Sequence, residues 1–310
     1  MTCDHCSSEA ITFIRYNGSH LCDRHFMSYV ERRVKKELRA QVDLSRGMRI
    51  GVAVSGGKDS MVTLDLVHRI LGKIRDVEIH CISVDEGIEG YRGPSLKIVQ
   101  RYCQEHSIPY HEVSMKENIG IDMDFIAPHC VEHSPCTYCG VFRRKCLNAK
   151  ARELGCGHLA TGLNLDDTAQ SLLMNFVRGD IERMARMGPH TKIQPGLIPR
   201  IQPLRVIPEK ESYLYAIATG LDFHDDECPY ADAALRNQYR WITDELESRS
   251  PGSKFSILSS YEKLAPLLRD NIPAAELHSC RCGEPTLGSK CRACALLDEL
   301  MKKLKKSENE

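Results

Sequence analysis

Apolar positions recur along this chain with two spacings, and the alternation between them sets the architecture. From residue 25 to about 40, Phe26, Val30, Val34 and Leu38 share one helical face. Arg32, Arg33, Lys35, Lys36 and Arg39 take the other. Beyond a break at Gly47, residues 48–54 form a continuous apolar run of strand length, and residues 61–70 return to helical spacing. Strand patterns follow at 77–84, 110–114 and 158–161, and helical ones at 95–106, 138–154 and 166–177. Strands alternating with helices predict an α/β fold with a parallel sheet covered on both faces. Residues 180–205, rich in proline, read as irregular; from Glu209 the pattern is mostly helical, through 233–247 and 257–269. Near the start, residues 11–16 followed by Asn17-Gly18 predict a hairpin.

Composition narrows the class. A chain of 310 residues suits one large domain, or a medium domain with appendages. Lys plus Arg and Asp plus Glu both total 42, so bulk attraction to nucleic acid is absent. Contact with RNA would need gathered cations. The candidates are the face at Arg32 to Arg39, the run Arg143-Arg144-Lys145, the set Arg178, Arg183 and Arg186, and the tail Lys302 to Lys306. No apolar run is long enough to span a bilayer, and the first residues lack a basic-then-apolar leader, so a cytoplasmic protein away from membranes is expected.

Fifteen cysteines are many, and their spacing is that of metal knuckles rather than a disulfide framework. Cys3-x2-Cys6 and Cys22-x2-His25 flank the predicted hairpin as a zinc ribbon would. Cys280, Cys282, Cys291 and Cys294 are expected to form a second zinc module. Its first knuckle, Cys280-Arg281-Cys282, is one residue short, which brings in His278 as an alternative ligand. Cys81, Cys103, Cys130, Cys146 and Cys156 stand alone and read as small buried hydrophobes.

The segment Ser55-Gly56-Gly57-Lys58-Asp59-Ser60 lies between a predicted strand and helix. Glycines there allow close backbone approach to oxygen anions. The helix start offers unpaired N–H groups, and Ser55, Lys58 and Ser60 add donors and charge. A Walker A loop is excluded, because Gly51 and Gly56 have its glycine spacing but Gly57 holds the lysine position. The string resembles the PP-loop of the adenine-nucleotide α-hydrolase superfamily, which implies ATP cleaved between the α- and β-phosphates with Mg2+ neutralising the polyphosphate. Two further segments end strands on the same edge. Asp85-Glu86-Gly87 is one. The other runs from Thr161 to Thr168, where Gly162 permits close approach, Asp166 reads as a helix N-cap and Asp167 as a ligand for magnesium or nucleotide.

Cys136-x2-Cys139 opens a predicted helix, and Cys228 follows far along the chain in Glu227-Cys228-Pro229-Tyr230. Three thiols are too few for structural zinc. They suit a cubane iron–sulfur cluster with one open iron; a redox or persulfide pair at Cys136 and Cys139 is the alternative.

Together the strings DEGIEGYR (85–92), CTYCGVFRR (136–144), TGLNLDD (161–167), MNFVRGD (174–180) and ECPY (227–230) resemble the TtuA/NcsA-type tRNA 2-thiolation proteins over nearly the whole chain. They stand closest to the archaeal and eukaryotic wobble-uridine branch. The resemblance implies a Rossmann-like PP-loop domain flanked by two zinc modules, divided as 1–28, 29–46, 47–225, 226–275 and 276–310. It implies a tRNA sulfurtransferase that adenylates a uridine at O2 and then inserts sulfur through a 4Fe-4S cluster on Cys136, Cys139 and Cys228. Those three and Asp59 are the catalytic residues. ATP falls on Ser55, Gly56, Gly57, Lys58, Asp59, Ser60, Asp85, Lys145, Gly162 and Asp167. Two zinc ions fall on Cys3, Cys6, Cys22 and His25 and on Cys280, Cys282, Cys291 and Cys294. Partners are tRNA, a sulfur donor (free sulfide or a ubiquitin-like thiocarboxylate carrier) and a second copy of the chain. The competing readings are thiolation of the T-loop ribothymidine, another PP-loop ligase, and a zinc-containing RNA-binding scaffold.

Overall fold

The computed structural model describes all residues except 44–46, 131, 191–193, 232–234, 273–275 and 308–310, and of Leu235, Arg236, Lys306 and Ser307 only the backbone. The expected start of a helix at Ala233 and the side chain of Lys306 thus lie outside the described residues.

The chain begins with the hairpin β1 (Thr12–Ile14) and β2 (Ser19–Leu21), paired antiparallel. Gly18 supplies the positive φ of 74° that its turn needs. Helix α1 (Asp23–Gln41) buries the expected stripe of Phe26, Val30, Val34 and Leu38. The opposite face is not uniformly solvated. Arg33, read from the sequence as an exposed cation, is largely buried. It pairs with Glu211 at 2.9 Å and lies over the rings of Tyr16, Tyr29 and Phe255. It therefore leaves the set of candidate RNA contacts; its charge anchors the hairpin to the body.

The body follows as β3 (Met48–Ala53), α2 (Lys58–Leu71), β4 (Val77–Asp85), α3 (Arg92–Glu105), β5 (Tyr110–Ser114), α4 (Met115–Ile119), α5 (Met123–Ile126), α6 (Pro135–Glu153), β6 (His158–Ala160), α7 (Leu165–Val177), α8 (Ile181–Ala185), β7 (Arg200–Ile201) and α9 (Glu209–Thr219). A short 3-10 turn, Ala127–His129, follows α5. Five strands form one parallel sheet in the order β5-β4-β3-β6-β7. The stretch 180–205, read as irregular, holds α8 and the edge strand β7. A two-residue strand carries too short an alternation to stand out among prolines.

Alternate residues of β3 and β4 point to different cores. Ile50, Val52, Val54 and Cys81 join α1, α2, α3 and α9 on one face. Ile82, Val84 and Leu159 join Phe142, Cys146 and Leu147 of α6 on the other. Cys81, Cys103, Cys146 and Cys156 are buried and Cys130 half-buried. The remaining elements are α10 (Leu235–Arg249), α11 (Ser253–Asn271), the hairpin β8 (His278–Ser279) with β9 (Pro285–Thr286), and α12 (Arg292–Ser307). Helices α10 and α11 pack on α7, and α12 packs on α6. Among the described residues no helix is long and apolar enough to cross a membrane.

A buried ammonium joins α10 and α11 to the body. Lys254 Nζ binds Asp166 and lies 2.5 Å from Asp244, with Lys254 and Asp166 both buried. Removing the ammonium leaves a buried carboxylate short of its counter-charge. Lys254→Ala is expected to destabilise the fold by about 3 kcal/mol, and urea unfolding measures the difference.

Candidate active site

The sheet order reverses at β3 and β6: from β3 the chain runs outward to β4 and β5, then returns to the other side. Crevices at such switch points, beyond the carboxyl ends of the strands, are where open α/β sheets bind ligands. The loop 54–57 follows β3 and the loop 161–164 follows β6, so both border this crevice. They meet closely. A Cβ on Gly162 would lie 3.0 Å from backbone atoms of Asp59 and Ser60, and one on Gly56, at φ 86°, would lie 2.6 Å from Ser95 O.

The first loop is braced by its own hydroxyls. Ser55 N–H donates to Ser60 Oγ at 3.1 Å, and Ser60 Oγ–H donates to Gly57 O at 2.7 Å. Helix α2 starts at Lys58 and aims its first-turn N–H groups at the crevice. Lys58 Nζ lies 3.4 Å from Glu209 Oε1 and 3.5 Å from Asp59 Oδ2. Burial raises the Asp59 pKa above the usual carboxylate range, against the opposing pull of Lys58. Asp59 Oδ1 is buried without a hydrogen-bond partner.

A cleft of about 410 Å3 opens here, lined among others by Ser55, Gly57, Lys58, Asp59, Ser60 and Gly162. Glu86, Arg92, Arg143, Arg144 and Arg200 complete its charged wall. Asp85, Lys145 and Asp167 are not among its lining residues. Asp85 turns back to accept from Gly87 N–H at 2.9 Å. Asp167 closes a capping box with Asn164 at the start of α7, the role the sequence reading gave to Asp166. Asp166 instead accepts from Glu209 N–H and holds Lys254. Glu86, one residue beyond the strand end, was passed over for Asp85. It is 2% exposed, 2.5 Å from Arg92 Nε and 3.6 Å from Arg143 Nη1. Arg92 Nη1 also donates to Ser55 O at 2.7 Å, tying the β4 end to the loop.

Residues 224–231 form a strap across the rim. Gly57 forms a parallel bridge with His224, whose N–H donates to Gly56 O at 2.8 Å. At the other end Tyr230 OH donates to Asp124 Oδ1 at 2.8 Å. Between these anchors lies Cys228, partly buried in the same core as Cys139. Cys136 Sγ–H donates to Tyr230 O at 3.5 Å. Burial pushes the Cys139 thiol up to about 11; Arg143 pulls it down, while Glu86, Cys228 and Cys136 push it further up. The three thiols thus share one electrostatic neighbourhood; none of them lines the cleft, and Arg143 and Glu86, which do, connect it to Cys139.

Two tighter sulfur sets lie at the chain ends. Cys3, Cys6, Cys22 and His25 place all ligand atoms within 4.8 Å of one another, as do Cys280, Cys282, Cys291 and Cys294. Cys6 Sγ lies 3.7 Å from Cys22 Sγ, and Cys282 Sγ 3.6 Å from Cys291 Sγ. A tetrahedron with Zn–S bonds of about 2.3 Å has an edge of about 3.8 Å, so both sets fit one zinc ion. The turn at Gly283, with φ 82°, lets the short Cys-x-Cys knuckle close without His278, which is exposed on β8. Cys136, Cys139 and Cys228 are not so tightly gathered. That suits a cluster in which each thiolate meets a different iron. Cys130 is turned away, its Sγ–H donating to Ile126 O.

A model of the PP-loop domain matches residues 27–246, and a model of the N-terminal LIM domain of the 2-thiouridine synthetase TtuA matches residues 2–27. The tRNA 2-thiolation protein NcsA of Haloferax volcanii is 36% identical, over 97% of this chain and 99% of that protein. The tRNA-5-methyluridine(54) 2-sulfurtransferase of Pyrococcus horikoshii is 35% identical, over 95% and 93%. The structure of the U34-tRNA thiolase NcsA from Methanococcus maripaludis with its 4Fe-4S cluster superposes with a TM-score of 0.79. It is 37% identical, and the match covers 86% of this chain and 88% of that one.

The terminal sets generate a direct expectation. Purified protein is expected to carry two zinc ions per chain, one for each set. Cys6→Ser and Cys282→Ser each lose one of them without touching the other, as read by plasma emission metal analysis.

Proposed function

The chain belongs to the PP-loop family of tRNA 2-thiolation proteins, and from that premise we propose that it is a tRNA 2-sulfurtransferase acting on the wobble uridine. ATP activates the uridine: O2 attacks the α-phosphate, the bond to the β-phosphate breaks, and pyrophosphate leaves. Sulfide then adds at C2, the C2–O bond to AMP breaks, and AMP departs with the original oxygen. No net oxidation or reduction is needed.

The observation that carries this reading is the strap. Its backbone splice to Gly56 and Gly57 ties the segment that carries Cys228 to the anion loop itself. A plain adenylating ligase has no use for three thiols beside its phosphate site.

The first-turn amides of α2, Ser55, Ser60 and Lys58 hold the leaving pyrophosphate as charge develops on it. The unsatisfied Asp59 Oδ1 suits a magnesium ion shared with the polyphosphate. Gly162 keeps the second loop thin enough for the nucleotide to lie against the backbone. Arg143, within reach of Glu86 and Cys139, stands between the phosphate and sulfur halves of the site and favours thiolate there. When bound, the 4Fe-4S cluster on Cys136, Cys139 and Cys228 supplies an iron with a position open to sulfide. The sulfur source is free sulfide or a ubiquitin-like thiocarboxylate. Residues 47–225 form the catalytic domain, residues 226–275 a helical extension that delivers Cys228, and the zinc modules at 1–28 and 276–310 dock on it.

The wobble assignment draws support from the similarity to the U34 thiolase. The relative named for position 54 makes the T-loop ribothymidine the runner-up. Nucleoside analysis of tRNA from a strain lacking this gene separates the two. Wobble 2-thiouridine derivatives are expected to vanish, to return with the wild-type chain, and to stay at least about 100-fold lower with Asp59→Asn or Cys228→Ala. Loss of 2-thioribothymidine alone would move the activity to the T loop, and an unchanged profile of both would sink the reading.

A further inference from the structure

Two guanidiniums on the cleft wall have no counter-charge. Arg144 and Arg200 both line the cleft, one from α6 and one from β7, and neither forms an ion pair or side-chain hydrogen bond among the described residues. Three nearby arginines do. Arg143 faces Glu86, Arg183 faces Asp180 at 3.5 Å, and Arg186 faces Glu182 at 2.9 Å. The carboxylate that acts on Arg200, Glu284, is already committed to Arg152 at 2.9 Å and to Asn148 Nδ2 at 3.2 Å. The two arginines repel each other. Loss of hydration and then the field of Arg144 bring Arg200 down to about 10, and Arg144 is lowered by the same loss and by Arg143 and Arg183. Gly140 leaves room for this geometry: a Cβ there would lie 3.3 Å from Arg144 Nη1.

Like charges converge in a cleft where an anion sits between them. The phosphates of ATP already have α2, Ser60 and Lys58 on the opposite wall. Arg144 also feels Arg183, outside the cleft on α8, so the positive field runs outward from the mouth, the direction a polymer takes and a mononucleotide does not.

We propose that Arg144 and Arg200 form a second phosphate seat, separate from the ATP loop, which clamps a backbone phosphate of the RNA next to the nucleotide being modified. The proposal rests on the tRNA-modifying reading above and adds residues that orient the target base toward the activated phosphate. A planar fork suits this task, because it binds phosphate bidentately and fixes direction as well as charge.

The test is tRNA binding by the full chain over a salt series, for wild type, Arg144→Gln, Arg200→Gln and the double variant, alongside ATP binding without tRNA. Each single variant is expected to flatten the log–log salt slope by about 0.7–0.9, and the double variant by about twice that. Arg→Lys variants should retain the slope but lose thiolation rate, since a point charge holds the phosphate without orienting it. ATP affinity and melting temperature should stay unchanged in all of them. A loss of ATP affinity with an intact tRNA slope would overturn the proposal in favour of the polyphosphate as occupant. Wild-type slopes for both ligands would dismiss the seat altogether. Wild-type protein that fails to bind tRNA would count against the tRNA reading itself, which separates the two failures.

Discussion

Everything in the site depends on three backbone segments meeting at one point. The loop after β3, the loop after β6 and the strap at His224 approach within hydrogen-bond or van der Waals distance around residues 56–60. Parallel sheets place the ends of β3 and β6 side by side as soon as the connections diverge, so the crevice is a consequence of topology. What the sequence must add is thinness. Gly56 and Gly162 remove side chains where backbone has to touch backbone, and any Cβ at 162 would drive the two loops apart. The strap then closes against the loop through main-chain atoms, while the buried His224 ring packs edge-on against Tyr91.

Electrostatics divides the crevice into two chemistries. On one side, helix α2, Lys58 and the serines address an anion. On the other, burial keeps the Cys139 thiol protonated at neutral pH unless a cation joins it. The Cys139 thiol is thus inert alone, and a metal together with Arg143 would offset its desolvation. Glu86 lies between the arginines and the thiols' side of the crevice. It is buried, it holds Arg92 and Arg143, and its two partners span the distance from Ser55 to Cys139. A single carboxylate is therefore linked to both halves.

Most of the framework was legible because it rests on local physics. The stripe of α1, the hairpin at Asn17-Gly18, the glycine loop and the paired cysteines each declare themselves within a few residues. What escaped was whatever tertiary context decides. Arg33 has the sequence signature of a solvated cation, yet Tyr29 one turn away together with Tyr16, Phe255 and Glu211 from farther along the chain make it an anchor. Asp166 and Asp167 are neighbours on a helix start, and only the position of Lys254, 88 residues away, tells which one is free to cap. Asp85 and Glu86 differ in the same way, by which side of the strand end each faces. Arg200 lay in a stretch that reads as irregular, so no pattern pointed to it. The splice at His224 is made by main-chain atoms, and no residue type signals that.

The terminal sulfur sets explain how so small an appendage can steady the catalytic rim. The segment after residue 275 has two-residue strands and one helix, too little to build a core of its own. A tetrahedral ion on the four cysteines would supply the missing folding energy, because the ligands must converge before it binds. Once the knuckles close, α12 is fixed, with Leu296 and Leu300 buried in the core that also contains Tyr138 and Phe142. Tyr138 OH also donates to Glu299 Oε1 at 3.4 Å. These contacts fall on the first turns of α6, the same turns that carry Cys136, Cys139 and the arginines. Helix starts are the parts most prone to fray, since their N–H groups lack partners within the helix. A helix locked by such an ion and packed against that turn would hold two thiols and two guanidiniums in register with the strap, without adding another side chain to the crevice.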